Sequence, residues 1–119
     1  MEVIVLNKKQ TPIEIALDID ETGHTTAKKL YEWLELRPAD YSRWVKANIT
    51  ENPYAVEGID YSLFESKTTA RGGRPTKDYL LTETFAKMLA MSSQTPKGEE
   101  ARNYFLNAEE NLMKAFQEP

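Results

Sequence analysis

Apolar residues recur along this chain with the spacing of amphipathic helices. Over residues 26–36 they follow the i, i+3, i+4, i+7 pattern, which places side chains on one helical face. Thr25 or Thr26 can cap the start of this helix, and Arg37-Pro38 interrupts the pattern at its end. The residues on the apolar face are Ala27, Leu30, Tyr31 and Leu34.

Three further helices are predicted downstream. The second runs from its cap Asp40 to about Thr50. The third follows Thr82, another good N-cap, and the fourth begins near Pro96, because proline suits a first helical turn. The inward-facing residues of these helices are, in chain order, Tyr41, Trp44, Val45 and Ile49; Phe85, Ala86, Leu89 and Ala90; and Ala101, Tyr104, Phe105, Ala108, Leu112 and Phe116.

Short apolar runs and alternating apolar and polar residues predict four short strands. Residues 3–6 and 13–17 indicate an N-terminal strand pair. Residues 60–67 and 77–81 alternate in the same way on either side of Gly72-Gly73, which predicts a β-hairpin. The pattern as a whole indicates an α+β fold with about four helices, a short N-terminal strand pair and a central hairpin.

The predicted hairpin carries a basic, glycine-rich loop. Residues 66–77 contain no acid, and Gly72-Gly73 allows the backbone to approach another surface closely. The sequence Arg-Gly-Gly-Arg-Pro at residues 71–75 is similar to a hook that inserts arginines into the minor groove of A·T-rich DNA. Two other interpretations stay open: binding to an acidic protein surface, and a solvated loop in which Arg74 pairs with an acid such as Asp78. The four cations of the segment are Lys67, Arg71, Arg74 and Lys77.

The charge of the whole chain is opposite to that of the loop. Its 119 residues include 15 basic and 19 acidic residues, a net charge of −4, which argues against wrapping nucleic acid over the whole surface. The length and the 40% apolar content suit one domain, residues 1–119, with one hydrophobic core. The absence of cysteine excludes disulfides and thiolate zinc sites. No apolar run approaches 18 residues, so we expect no membrane span.

An acidic motif, Asp18-Ile19-Asp20-Glu21-Thr22, matches the Asp-x-Asp-x-Thr signature of haloacid-dehalogenase-like phosphatases. In that chemistry the first Asp is a nucleophile and the second a general acid, around Mg²⁺. A chain of 119 residues is too short for the doubly wound sheet that this chemistry uses. A calcium loop fails too, because Lys29 stands where a bidentate Glu is needed. We interpret the segment as an acidic turn, and we predict no catalytic residue, metal site or cofactor.

The predicted last helix, about residues 96–117, carries its apolar stripe as far as Phe116. The stripe can complete the core of the domain. Alternatively, the end of the helix can pair with another copy of the chain, with Leu112, Met113 and Phe116 as the seam. We favour self-association, because the length of the helix and an apolar residue as late as Phe116 suit a helix that extends past the globule. Several copies would also combine weakly binding basic loops into a tighter contact.

Together these segments resemble the AntA/AntB family of phage antirepressors, from about Thr25 to Leu112. The most specific part is Gly-Gly-Arg-Pro at residues 72–75, followed by Asp78-Tyr79 and Leu81-Thr82. The second helix departs from the family pattern, because Ala47-Asn48 makes it less basic. The other matching parts are residues 26–34, 41–45, 56–61, 85–91 and 95–105.

The resemblance implies a phage or prophage protein of the bacterial cytoplasm that relieves lysogenic repression by binding a transcriptional repressor. The related KilA-N and Bro-N domains are associated with DNA binding. The alternative is therefore a sequence- or shape-selective DNA-binding regulator that uses the basic loop. Many relatives carry a further C-terminal domain, so the chain is either a short stand-alone version or an N-terminal domain. The expected contact residues are Lys67, Arg71, Gly72, Gly73, Arg74 and Lys77, with Trp33, which falls off the apolar stripe of the first helix and is expected to be exposed.

Overall fold

The structure is a computed structural model, and it describes residues 10–66 and 76–117. These ranges contain five α-helices and a three-stranded antiparallel sheet, which confirms the predicted α+β class. Helices α1 to α5 are Pro12–Ala16, Ala27–Trp33, Tyr41–Val45, Glu83–Ser92 and Pro96–Gln117. Strands β1 to β3 are His24–Thr26, Tyr61–Ser66 and Thr76–Thr82; a 3-10 helix spans Pro38–Asp40 and a π-helix spans Lys46–Thr50.

Residues 13–17, predicted to be a strand, instead lie in α1 and its C-cap, so that prediction is wrong. The helix starts with a capping box: the Thr11 hydroxyl accepts from the Glu14 N–H, and the Glu14 carboxylate accepts from the Thr11 N–H. Ile13 and Leu17 are buried one helical turn apart, whereas Ile15 is 64% exposed. The predicted partner strand, residues 3–6, lies outside the described residues.

The predicted hairpin is present, since β2 and β3 pair antiparallel from Tyr61↔Leu81 to Ser66↔Thr76. Sequence reasoning missed β1, which pairs with the other edge of β3 and gives the sheet order β1-β3-β2. This strand has only three residues and no apolar alternation, so only its pairing with β3 reveals it.

The hydrophobic core lies between the sheet and helices α2 and α4. The predicted inward residues of both helices are buried, and the Thr82 hydroxyl caps α4 by accepting from the Phe85 N–H. In the second predicted helix, Val45 and Ile49 are buried, while Tyr41 and Trp44 are half-buried against the core. Truncating a fully buried core side chain, as in Leu81→Ala, is expected to cost about 2–5 kcal/mol.

Helix α5 is attached to the body through its first turns. The Arg102 guanidinium donates to the carbonyls of Met91 and Ser93 at 2.6 and 2.7 Å, at the end of α4. Gly98 allows close approach, because a Cβ there would lie 2.1 Å from the Ser93 carbonyl oxygen. The predicted stripe is buried at Ala101 and half-buried at Tyr104 and Phe105, but every residue from 106 to 117 is exposed.

In residues 10–66 and 76–117, no helix has both the length and the apolar character needed to cross a bilayer.

Candidate interaction groove

A groove of about 800 Å³ lies between α2, α3 with its following π-helix, and β3. We call it the lysine groove. Its charged residues come from three elements, and its aromatic residues come from two. It is lined by Lys28, Glu32, Pro38, Tyr41, Ser42, Val45, Lys46, Thr50, Glu51, Lys77 and Tyr79.

A buried carboxylate joins the elements that line the lysine groove. Pairing of β1 with β3 ends at Thr26↔Leu80, so continuing the ladder would place Lys28 opposite Asp78. The chain turns into α2 at Ala27, and the Lys28 N–H instead donates to Asp78 Oδ1 at 3.1 Å. The same oxygen accepts from the Tyr79 N–H at 2.7 Å and from the Tyr41 hydroxyl at 3.3 Å.

These bonds give Asp78 a structural role. Its side chain is only 5% exposed, although it is an acid within a strand. It satisfies one of the free N–H groups of the first turn of α2 and ties α3 to β3. Burial and the neighbouring Asp78 charge raise the pKa of Tyr41 well above its usual value, so its hydroxyl stays protonated and able to donate. The hydrogen bonds of Asp78 to Lys28, Tyr41 and Tyr79, which we call the Asp78 joint, therefore connect the elements that line the groove.

The opposite wall of the groove contains the π-helix Lys46–Thr50. The Glu51 N–H donates to the Lys46 carbonyl at 2.9 Å, five residues back, which defines the wider turn. The Asn48 side-chain amide donates to the Trp44 carbonyl at 3.0 Å, and this bond gives the carbonyl a hydrogen-bond partner beside the wider turn. Single π-turns are rare and occur frequently at functional sites, which makes this wall a functional candidate.

Of the predicted contact residues, Lys77 is exposed and lines the lysine groove. Residues 67 and 71–74, which include Lys67, Arg71, Gly72, Gly73 and Arg74, lie outside the described residues. Trp33 is half-buried rather than fully exposed, and it packs against the core with the Lys97 ammonium 5.4 Å from its ring centroid. Trp33 therefore has a packing role in addition to its partial exposure.

The three predicted oligomerisation residues lie on the exposed half of α5. Leu112, Met113 and Phe116 are 54%, 52% and 76% exposed. Leu112 and Phe116 continue the stripe that Ala101 and Phe105 direct against the body. The end of α5 thus presents an apolar face that the described body does not cover.

The acidic motif at residues 18–22 forms a turn, as interpreted from the sequence. Asp20 Oδ1 accepts from the backbone N–H and hydroxyl of Thr22 and from the His24 N–H, and these bonds lower the pKa of the Asp20 carboxyl. Asp18 has a positive φ of 59° and pairs with Lys29 at 2.8 Å. Among the described residues, no three His, Asp or Glu side chains are grouped so that they could hold a metal ion.

A second concavity, of about 610 Å³, lies beside this turn. We call it the acidic cleft; its acids are Glu14, Asp20, Glu21 and Glu83. The Lys87 ammonium bridges Glu14 and Glu83 at 2.8 and 3.2 Å. The hydrogen bond from Lys87, helped by the Thr11 N–H, lowers the pKa of Glu14 from 4.5 to about 2. Two of the cleft's four acids, Glu14 and Glu83, thus join α1 to α4 through Lys87.

The sequence model of the AntA/AntB antirepressor family matches residues 25–95. The chain belongs to the AntA/AntB antirepressor family. No curated protein and no solved structure matches the chain. Every residue that lines the lysine groove lies within the span matched to the antirepressor family, while the acidic cleft draws most of its lining from residues 10–23, before that span.

Sequence reasoning singled out Lys77 but missed the rest of the lysine groove. Lys28, Lys46 and Tyr79 are far apart in the chain, and only the packing of α2 and α3 beside β3 brings them together. One local signal was available: Asp78 directly precedes the apolar run Tyr79-Leu80-Leu81 within β3, and an acid that becomes buried in such a strand is usually hydrogen-bonded. That signal indicates the hydrogen bonds of Asp78, but it does not indicate the lysine groove.

Proposed function

We propose that this chain is a phage or prophage antirepressor that relieves lysogenic repression by binding a transcriptional repressor in the bacterial cytoplasm. The observation that carries the proposal is membership of the AntA/AntB antirepressor family over residues 25–95. The net charge of −4 supports a protein partner with a basic DNA-reading face, because complementary charge speeds and orients association.

The proposed mechanism needs no chemical step. A repressor held by the antirepressor is withdrawn from the pool that can bind the operator, so operator occupancy falls by mass action. We assign the basic segment at residues 67–75 and the lysine groove to contact with acidic parts of the repressor, and the acidic remainder of the surface to its basic DNA-reading face. Affinity for the repressor then sets how much antirepressor is needed for induction.

Direct DNA binding is the second candidate function. It is favoured by one observation: Lys28, Lys46 and Lys77 line the same groove, and Lys77 lies two residues after the basic segment in sequence. Lysines gathered in this way can neutralise phosphates. We prefer repressor binding, because Glu32 and Glu51 lie among those lysines and would repel a phosphate backbone.

The experiment that separates repressor binding from direct DNA binding is a calorimetric titration of the antirepressor against the repressor encoded beside its gene. We expect a saturable complex without DNA present. A variant carrying Arg71→Glu and Arg74→Glu reports whether the basic segment participates, since it would lose DNA binding under the second candidate. Failure to bind the repressor at tens of micromolar, combined with salt-sensitive duplex binding, would replace the first function with the second.

We also propose that residues 1–119 act as one domain that self-associates through the end of α5, with a second copy as the partner. The support is the exposed stripe that continues the core-facing side of α5. Its residues Ala108, Leu112 and Phe116 carry no charge, so two copies can pair along it without charge repulsion between stripe residues. Self-association would multiply partner contacts and raise the effective affinity.

Self-association is tested by sedimentation velocity over a range of concentrations. The wild-type chain should sediment as a dimer or larger species, and Leu112→Glu with Phe116→Glu should sediment as a monomer. Asn103→Glu with Asn107→Glu is the matched control, because it adds the same charge on the outer face of the same helix. A monomeric wild type, or equal sedimentation of the two double variants, would exclude this seam.

A further inference from the structure

We infer that the lysine groove binds a short, extended, acidic segment of a partner protein that also carries an apolar side chain. The inference deepens the proposed function, on which it rests for the partner, by naming the chemistry of the segment that the groove takes. Its test does not depend on which protein supplies the segment. It rests on the composition of the groove, the arrangement of its charges and the rigidity of its walls.

The composition of the groove suits a peptide. Its apolar surface comes from Pro38, Val45 and the rings of Tyr41 and Tyr79, and hydroxyl groups come from Ser42 and Thr50. Grooves of this mixed kind bury an apolar anchor while a few polar groups fix its orientation. A volume of about 800 Å³ accommodates several side chains of an extended segment.

The charge of the groove selects for acidic residues. Three lysines and two glutamates line it, whereas the whole chain has 15 basic and 19 acidic residues. The excess of cations is therefore local, and the lysines come from α2, the π-helix and β3. Lys46 is held 3.7 Å from Glu51 with both side chains largely exposed, a pair that a stronger ligand can exchange at little cost.

The interspersed glutamates favour a peptide over nucleic acid. A DNA backbone presents evenly spaced negative charge, so phosphates would meet Glu32 and Glu51 as well as the lysines. A peptide can place carboxylates opposite Lys28 and Lys77 and uncharged residues opposite the glutamates. Charge complementarity of this alternating kind gives specificity through the mismatches that it penalises.

The walls of the groove are preorganised. Asp78 fixes the first turn of α2 and the Tyr41 ring through bonds to Lys28 and Tyr41, and the π-helix positions Lys46 and Thr50. A site whose side chains are already ordered loses less conformational entropy on binding. The groove therefore has the rigidity expected of a recognition site rather than of an incidental surface concavity.

The test is fluorescence anisotropy with the full chain and a fluorescein-labelled synthetic peptide that contains four glutamates and one phenylalanine. We expect micromolar binding at about 50 mM salt and weaker binding at about 200 mM. The matched peptide with glutamine in place of glutamate should bind at least about tenfold more weakly. Amide shifts in NMR spectra should move at Lys28, Ser42 and Tyr79.

Two variants locate the binding. Lys28→Gln with Lys77→Gln should weaken the acidic peptide by about tenfold or more. Lys29→Gln with Lys114→Gln, the control, removes the same two charges from exposed positions outside the groove, and should change affinity by less than about twofold. Ser42→Trp, which fills the groove from an exposed position, should abolish binding; circular dichroism verifies that each variant is folded.

Three results would overturn the inference. The first is no binding of the acidic peptide to the wild-type chain at millimolar concentration. The second is equal affinity of the wild type and the Lys28→Gln, Lys77→Gln variant. The third is a duplex DNA that moves the same amides at lower concentration than the peptide does, which would assign the groove to phosphate binding. None of these depends on the repressor titration, so each proposal can fail alone.

Discussion

The lysine groove and the acidic cleft use charge in opposite ways. In the acidic cleft, Lys87 lies between Glu14 and Glu83, and its side chain is only 21% exposed, so the charges there are satisfied within the fold. In the lysine groove, Lys46 and its partner Glu51 are 68% and 63% exposed and 3.7 Å apart. Partly buried, well-formed ion pairs contribute to stability, whereas exposed pairs contribute little.

The difference separates a structural role from a binding role. Lys87 links Glu14 of α1 to α4 and lowers the pKa of Glu14. A carboxyl whose pKa is lowered on folding stabilises the folded state while it is ionised. The groove's lysines lie at the surface of a preformed frame and can meet a ligand without unfolding anything. Substitutions should therefore divide cleanly into those that change stability and those that change binding.

The largest expected effect concerns the frame of the groove. Asp78→Ala removes the acceptor for the N–H groups of Lys28 and Tyr79 and for the Tyr41 hydroxyl, and leaves these donors unsatisfied. We expect the free energy of unfolding to fall by about 2–4 kcal/mol, measured by urea denaturation. Asp78→Asn keeps one acceptor oxygen and should lower the free energy of unfolding by less. A decrease below about 0.5 kcal/mol for Asp78→Ala would contradict the structural role of Asp78.

The acidic cleft should dominate the response to acid. Because the pKa of Glu14 is about 2 when folded and near 4.5 when unfolded, the unfolded state binds more protons between these values. Stability is therefore fully present above about pH 4.5 and is lost as the pH falls towards 2, by roughly 2–3 kcal/mol.

Thermal melts across this pH range check that prediction. Glu14→Gln should be less stable at pH 7 and should show a flatter loss of stability on acidification. Glu109→Gln, an exposed change of the same kind on α5, should retain the wild-type slope. Equal loss of stability with falling pH in the wild type and in Glu14→Gln would show that Glu14 does not cause this pH dependence.

The smallest expected effect is the contrast between lysines. Lys28→Gln with Lys77→Gln should change the free energy of unfolding by less than about 0.5 kcal/mol, because both side chains line the surface of the groove. Lys87→Gln should cost more than about 1 kcal/mol, because it breaks two charge-assisted hydrogen bonds. If the groove lysines prove as costly as Lys87, the groove would have to be reassigned as a structural feature.

The sequence predicted the local elements better than the surfaces. The hairpin, the caps at Thr26 and Thr82, and the buried faces of α2 and α4 follow from periodicity and capping chemistry, which act within a few residues. The segment at 13–17 failed because alternation of Ile13, Ile15 and Leu17 resembles a strand, although the capping box at Thr11 and Glu14 and the proline between them signal a helix.

The lysine groove could not be predicted because no local pattern encodes it. Its residues come from α2, α3, the π-helix and β3, and the register of β1 on β3 decides where Asp78 meets α2. The π-helix is equally hidden, since residues 46–50 fit an α-helical pattern. The basic segment at 67–75, the most conspicuous feature of the sequence, lies outside the described residues, so its role stays a prediction.

The most direct test of the account is a titration of this chain into a preformed complex of the neighbouring repressor with its fluorescently labelled operator. Repressor capture predicts that anisotropy falls to the value of free DNA, and that the chain alone leaves the operator's anisotropy unchanged. A rise in anisotropy with the operator alone would show that the chain binds DNA itself, and a rise only with the repressor present would show a ternary complex in which the repressor stays on the operator. Either result would contradict antirepression by removal of the repressor.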